Sequence, residues 1–214
     1  SGLSESASAK AEDFLNKLGV TIMLNTRVKD YDGSVVTYGD EGSVSSRSVI
    51  WAAGVKGQWV EGINSDAKGR GDRILVDSFN RVVGHENIYA VGDVACMTDE
   101  AYPAGHPMVA QVAIQQAVNL GRNLRKGKSV ESWTPFRYRD LGSMATVGRN
   151  KAVADLPWFS TQGVLAWYIW MFIHLMNLVG FRNRVIVFIN WLWNYISYDR
   201  AIRLIIRPFK RNLP

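Results

Sequence analysis

Residues 86–96 read ENIYAVGDVAC, and the fold turns on how this stretch is understood. The apolar run Ile88–Val91 has the length and composition of a short buried strand. It leads into Gly92, where backbone can approach a ligand closely. Asp93 follows, and its carboxylate can accept hydrogen bonds from the hydroxyls of a nucleotide sugar. Taken alone, the same residues describe a strand ending in an ordinary Gly-Asp turn, so the flanking sequence has to decide. Upstream, VIWAAGV (49–55) repeats the pattern, with Ser48–Ala53 reading as a buried strand closed by Gly54. Between the two, GRGDRILVDSFNRVV (69–83) supplies another short strand, Ile74–Val76.

Toward the N-terminus, Ser4–Leu18 is predicted to be a helix with an apolar stripe of Ala7, Ala11, Phe14, Leu15 and Leu18. Gly19 suits its C-terminal stop. Val20–Leu24 fits a buried parallel strand, and Val28–Tyr31 with Ser34–Tyr38 fits a hairpin around Gly33. Toward the C-terminus, Met108–Lys126 is predicted to be a long helix with Pro107 just ahead of it. Ala145–Ala154 reads as a short strand or turn segment. This order of elements is α/β in character. On the long helix, Gln111 and Gln115 are four residues apart and share a face. The helix start offers N–H groups and partial positive charge, which favour an electron-rich ligand. A surface helix carrying three solvated glutamines, Gln111, Gln115 and Gln116, fits the same residues.

The chain has 214 residues, 47% of them hydrophobic and 21% charged, which is a globular composition. Its formal net charge is +6, and all of that excess lies in residues 156–214, where seven Lys/Arg face only Asp199. Five of the eight Trp lie between Trp158 and Trp193. Aromatic rings and cations in an apolar background fit a membrane interface, not a nucleic-acid surface. The single cysteine, Cys96, excludes an intrachain disulfide, a CxxC pair and a cysteine metal cluster, and reads as a small, partly buried residue. No metal-ligand set and no catalytic acid or base stands out, and Arg149 and Lys151 read as solvated charges. The opening SGLSESASAKAEDFL has no signal-peptide core.

The apolar tail begins near Pro157. Gly163–Gly180 would be ~27 Å long as a helix, marginal against a hydrocarbon core of ~30 Å. Val185–Ile196 is too short to span. Trp191, Tyr195, Tyr198 and Ile202 form an apolar stripe, with Arg200, Arg203 and Arg207 on another face. That arrangement favours an in-plane membrane helix over a spanning hairpin or a soluble core. His174 and Asn177 read as polar contacts to the protein body, and Trp167 and Trp170 as packing or interface anchors.

The order WAAG, strand, AVGD resembles that of flavoproteins built from two dinucleotide-binding domains. AQVAIQQA (110–117), after a Gly-His-Pro turn, resembles the quinone-site helix of type II NADH:quinone oxidoreductases. DLGSMATVGRNKAVAD (140–155) and GFRNRVIVFINWLWNYISYDRAIRLI (180–205) resemble that family's next segment and its C-terminal anchor. The resemblance implies the C-terminal part of a Rossmann-like, two-dinucleotide-binding-domain α/β flavoprotein with a helical membrane anchor. Residues 1–50 would close the NADH-binding domain, 51–156 would end the FAD-binding domain and carry the quinone-site helix, and 157–214 would anchor. It implies FAD held at Gly92, Asp93 and the helix start Ala110, Gln111 and Val112, and a membrane quinone at Gln111 and Gln115. NADH would give hydride to FAD, and two electrons would pass to the quinone without proton pumping. The implied setting is monotopic, on the cytoplasmic face of a bacterial inner membrane, with a homodimer among the assemblies allowed and no nucleic-acid partner. No GxGxxG opens a helix in 1–214, so the resemblance covers the C-terminal half only. By itself the chain is expected to be catalytically incomplete, with the N-terminal half of the same protein as its partner. A flavin reductase with a soluble acceptor and an inactive membrane-binding module are the alternatives.

Overall fold

A computed structural model describes residues 2–127 and 132–197. In chain order the elements are α1 (Glu5–Lys17), β1 (Val28–Tyr31), β2 (Val35–Tyr38), β3 (Gly42–Ser45), β4 (Ile74–Leu75), β5 (Ala95–Cys96), α2 (Ala110–Arg125), β6 (Ser143–Gly148), β7 (Lys151–Leu156), β8 (Phe159–Gln162), α3 (Val164–Asn177) and α4 (Phe181–Ser197), with short 3-10 turns at Ser65–Ala67, Arg70–Asp72 and Gly92–Val94. The chain folds as two compact units, one of residues 1–22 and 142–214, the other of 23–141. These units cross the expected boundaries at 50 and 156.

In the 23–141 unit, β1, β2 and β3 form an antiparallel meander. The β1–β2 hairpin was expected; β3 was not. The core of the unit lies further on, where Ile74, Val76, Val82, Ala90, Ala95, Met97 and Phe136 are buried together. β4 and β5 pair in parallel, Ile74 opposite Ala95 and Leu75 opposite Cys96. The buried Arg73 crosses this seam, donating to the carbonyls of Ala95 and, at 3.0 Å, of His106. Asn80, fully buried, donates to Ala90 O at 3.0 Å. Cys96 is buried, more fully than the partly buried residue expected.

Two expected strands are absent. Val20–Leu24 and Ser48–Ala53 carry no strand pairing, and Leu24, Ile50 and Trp51 stand exposed at 67%, 93% and 67%. A parallel strand takes its hydrogen bonds from its neighbours, and the described residues offer these two runs none. Of Ile88–Val91, only Tyr89 pairs, through an isolated bridge to Arg81.

The other unit is layered around β6–β7–β8, an antiparallel sheet. Side chains alternate across a strand, and β7 shows it: Val153 packs with Ala7 and Phe14 of α1, while Ala152 and Ala154 meet Ala166 of α3. All three alanines are fully buried, so small side chains let α3 approach the sheet closely. α1 is capped by Ser4, whose Oγ accepts from Ala7 N at 3.2 Å, and Gly19 follows its end with φ 80°. The segment expected as a strand or turn is thus a hairpin, closed by Arg149 and by Asn150 at φ 60°. β8 was not anticipated. Among the described residues no helix is long and apolar enough to cross a membrane.

Candidate functional site

Gly92 adopts φ 73°, a left-handed backbone that favours glycine. A Cβ there would also lie 3.1 Å from Cβ of Ala113, so the residue admits α2 at close range. Its N–H donates to Oε1 of Gln116 at 2.8 Å. Gln116 is fully buried, so the alternative of a surface helix with three solvated glutamines does not hold for it. Val112, Gln116 and Asn123 are the buried residues of α2, and their spacing of four and seven places them on one face. Asp93 is exposed beside this joint and has no hydrogen-bond partner among the described residues.

α2 begins at Ala110, two residues later than expected, because Val109 is extended. No side chain caps this end. Ala110 is exposed and Gln111 half-buried. Val112 is buried at 2% exposure and its N–H bonds Val109 O at 3.1 Å. Its side chain belongs to the core, so any part it takes in holding a flavin would fall to its backbone at the helix start.

Gln111 and Gln115 do share a face, and both hold the 139–141 segment. Oε1 of Gln111 accepts from Leu141 N at 3.1 Å. Gln115 pairs with the Arg139 backbone in both directions, accepting from its N at 3.0 Å and donating to its O at 2.9 Å. An open groove of about 720 Å³ runs alongside, lined by Ile114, Gln115, Val118, Phe136, Arg139 and Leu141 among others.

The loop before α2 is held by His106, 1% exposed, whose Nε2 lies 2.8 Å from Oδ2 of Asp99. Burial alone would raise the Asp99 carboxyl, but its bonds to the His106 ring and the Tyr102 backbone outweigh this and hold it below the usual range. Rings of Tyr102, Phe136 and Tyr138 enclose the imidazole.

In the tail, Trp191 and Tyr195 are half-buried and turned toward α3, not outward. Trp191 stacks on Trp170, and Tyr195 lies against Trp167. The exposed side of α4 is Ile189, Leu192, Trp193 and Ile196. Arg149 is no solvated charge: its guanidinium sits 4.0 Å over the Tyr195 ring and donates to the Tyr195 carbonyl. His174 is exposed and stacks on Trp170. Tyr198, Arg200, Ile202, Arg203 and Arg207 lie outside the described residues.

Residues 1–117 match the model of the pyridine nucleotide-disulphide oxidoreductases. The chain belongs to that family. Residues 141–197 match the NDH2 C-terminal domain, and the two matches in this order align it with the type II NADH dehydrogenases. It is 34% identical over 205 residues to the type II NADH:quinone oxidoreductase NdhA of Mycobacterium tuberculosis, covering 90% of this chain and 42% of that protein. It is 32% identical over 200 residues to the internal alternative NAD(P)H-ubiquinone oxidoreductase A1 of Arabidopsis thaliana, covering 85% and 39%. The fold is similar to that of NDH2 from Plasmodium falciparum, solved with NADH, at a TM-score of 0.76 and 18% identity over 90% of this chain and 55% of that one. A sulfide:quinone oxidoreductase from Aquifex aeolicus gives a TM-score of 0.62 at 18% identity, covering 90% and 49%. The chain therefore spans about two fifths of the length of the curated relatives it matches.

Proposed function

We propose that this chain forms the quinone-side, C-terminal portion of a flavin-dependent NADH:quinone oxidoreductase working at a membrane surface. The observation that carries the reading is the Gly92–Asp93 joint locked to α2 through Gln116. It sets an exposed carboxylate beside a helix start that no side chain caps. FAD suits that cradle: Asp93 would accept hydrogen bonds from its hydroxyls, and the start of α2 at Ala110 and Gln111 would favour electron density on its ring. The flavin, when bound, supplies the relay of a hydride from NADH into two electrons for an acceptor.

The chain's own residues position and bind. Gln111 and Gln115 would present amide groups to a quinone carbonyl. Each amide has two donor hydrogens and two lone pairs, so the bonds to Arg139 and Leu141 orient these side chains and leave Gln115 hydrogen-bonding capacity for a ligand. A lipid-soluble acceptor gives a physical reason for the exposed apolar sides of α3 and α4, which would rest on the cytoplasmic side of the bilayer.

In the polypeptide that carries this chain together with both glycine-rich loops, Gln111→Ala and Gln115→Ala should slow quinone reduction by about 10- to 100-fold, the range for lost positioning and binding groups. Flavin reduction by NADH should be nearly unchanged when followed by stopped-flow absorbance. Equal loss in the two half-reactions would remove the quinone role.

A further inference from the structure

The groove beside α2 carries charge that the quinone chemistry does not use. Arg122 of α2 and Arg137 and Arg139 of the segment facing it all line this groove, and no acid does. We propose that the groove is a docking surface for an anionic bilayer. The three guanidiniums would meet lipid phosphates, and Ile114, Val118 and Leu141 would lie among the headgroups. The proposal rests on the membrane-surface reading above and gives the 23–141 unit its own contact with lipid.

The local sequence concentrates the charge. Residues 1–155 carry no net charge, yet between 119 and 141 Arg122, Arg125, Lys126, Lys128, Arg137 and Arg139 stand against Glu131 and Asp140 alone. The fold then sorts these groups. Side chains alternate along extended backbone: Phe136 and Tyr138 turn inward to the His106 ring, while Arg137 and Arg139 are exposed. Asp140 hydrogen-bonds Tyr138 and forms no part of the groove wall. Amides of α2 fix the backbone beneath the cations, Gln115 on Arg139 and Asn119 and Asn123 on Thr134. Arg122, Arg137 and Arg139 form no ion pair with any described residue.

Cations of one sign without local partners attract an anionic surface. Here they surround exposed apolar side chains, Ile114 at 58%, Val118 at 46% and Leu141 at 50%. That mixture suits the boundary where headgroups meet acyl chains better than it suits an anion in water. The volume of about 720 Å³ leaves room for headgroups between the cations. Gln115 lines the same groove, so a bilayer held there brings an acceptor dissolved in it to that amide.

The test is co-sedimentation of the full chain with two kinds of vesicle, phosphatidylcholine alone and phosphatidylcholine with an equal part of phosphatidylglycerol. Arg122→Gln, Arg137→Gln and Arg139→Gln together should weaken binding to the anionic vesicles by about 100-fold, roughly fivefold for each basic residue at such a surface. Binding to phosphatidylcholine vesicles should not change, and Lys at the same three positions should keep most of the affinity for the anionic ones. The bonds from Gln115 go to the Arg139 backbone, so the exchange leaves them in place. A matched control, Arg27→Gln with Arg47→Gln and Arg70→Gln, removes the same charge from exposed residues outside the groove. It should weaken binding by less than about fivefold, because charges ~10 Å or more off the bilayer are screened. An equal loss in the control would assign the effect to net charge and overturn the proposal. So would a groove variant that binds like the unaltered chain, with the membrane-surface reading left standing. If the unaltered chain sediments with neither vesicle, that reading falls as well.

Discussion

At the scale of single residues, the Gly92–Gln116 bond joins the expected nucleotide turn to α2. Replacing Gln116 with Ala leaves the buried Gly92 N–H unpaired and should cost about 1–3 kcal/mol of unfolding free energy in a urea titration. An unchanged midpoint would show that the bond contributes little. This residue was hidden because three glutamines at 111, 115 and 116 look alike in composition. The signal was its place four residues after Val112 and seven before Asn123, on the buried face. Tyr138 makes a pH prediction. Burial first, then the neighbouring Asp140 and Tyr102, push its phenol up to about 12, against an ordinary ~10. A raised value means that the folded state holds this proton more tightly. The associated stability is therefore complete below the unfolded value and is lost as pH rises through the folded one. Denaturation midpoints taken from pH 9 upward, at intervals of about one unit, should fall on that account. Tyr138→Phe should flatten that part of the profile; the same fall in the Phe variant would assign it to another group.

At the scale of elements, the seam of Ala152, Ala154 and Ala166 sets how closely α3 lies on β7. Ala166→Leu adds volume where the packing leaves none and should destabilise by about 1–3 kcal/mol, read as a lower thermal midpoint. Local pattern made α1, α2, the β1–β2 hairpin and the tail helices legible, because each draws its hydrogen bonds from nearby residues. The two missing strands failed for the opposite reason. Val20–Leu24 and Ser48–Ala53 have suitable side chains, but pairing needs a neighbour that sequence pattern alone does not supply. β8 escaped notice because FSTQ is polar and mostly exposed, and so lacks the alternation that marks a half-buried strand. Of the tail's aromatic stripe, Trp191 and Tyr195 lie against α3, and Tyr198 and Ile202 fall outside the described residues. Periodicity tells which residues share a face, not what that face meets.

At the scale of the whole molecule, the outward side of α4 is the expected membrane contact. Ile189→Glu with Trp193→Glu should release the protein from vesicles in a flotation assay while its circular dichroism stays intact. Trp191→Glu, placed in the packed interface with α3, should instead unfold the helix pair. If the outward double variant remained bound, the contact would have to lie elsewhere on the chain.

The unit built from residues 1–22 and 142–214 has a consequence for the timing of its own assembly. α1 is made before β7, and Val153, on which Ala7 and Phe14 rest, follows much later. At roughly 5–20 residues per second of synthesis, the intervening stretch takes on the order of 6–24 s. Throughout that interval the face of α1 that meets Val153 lacks this partner, while residues 23–141 are being made. A pulse of protease on stalled ribosomes should find α1 cleavable until β7 has cleared the exit tunnel and protected thereafter.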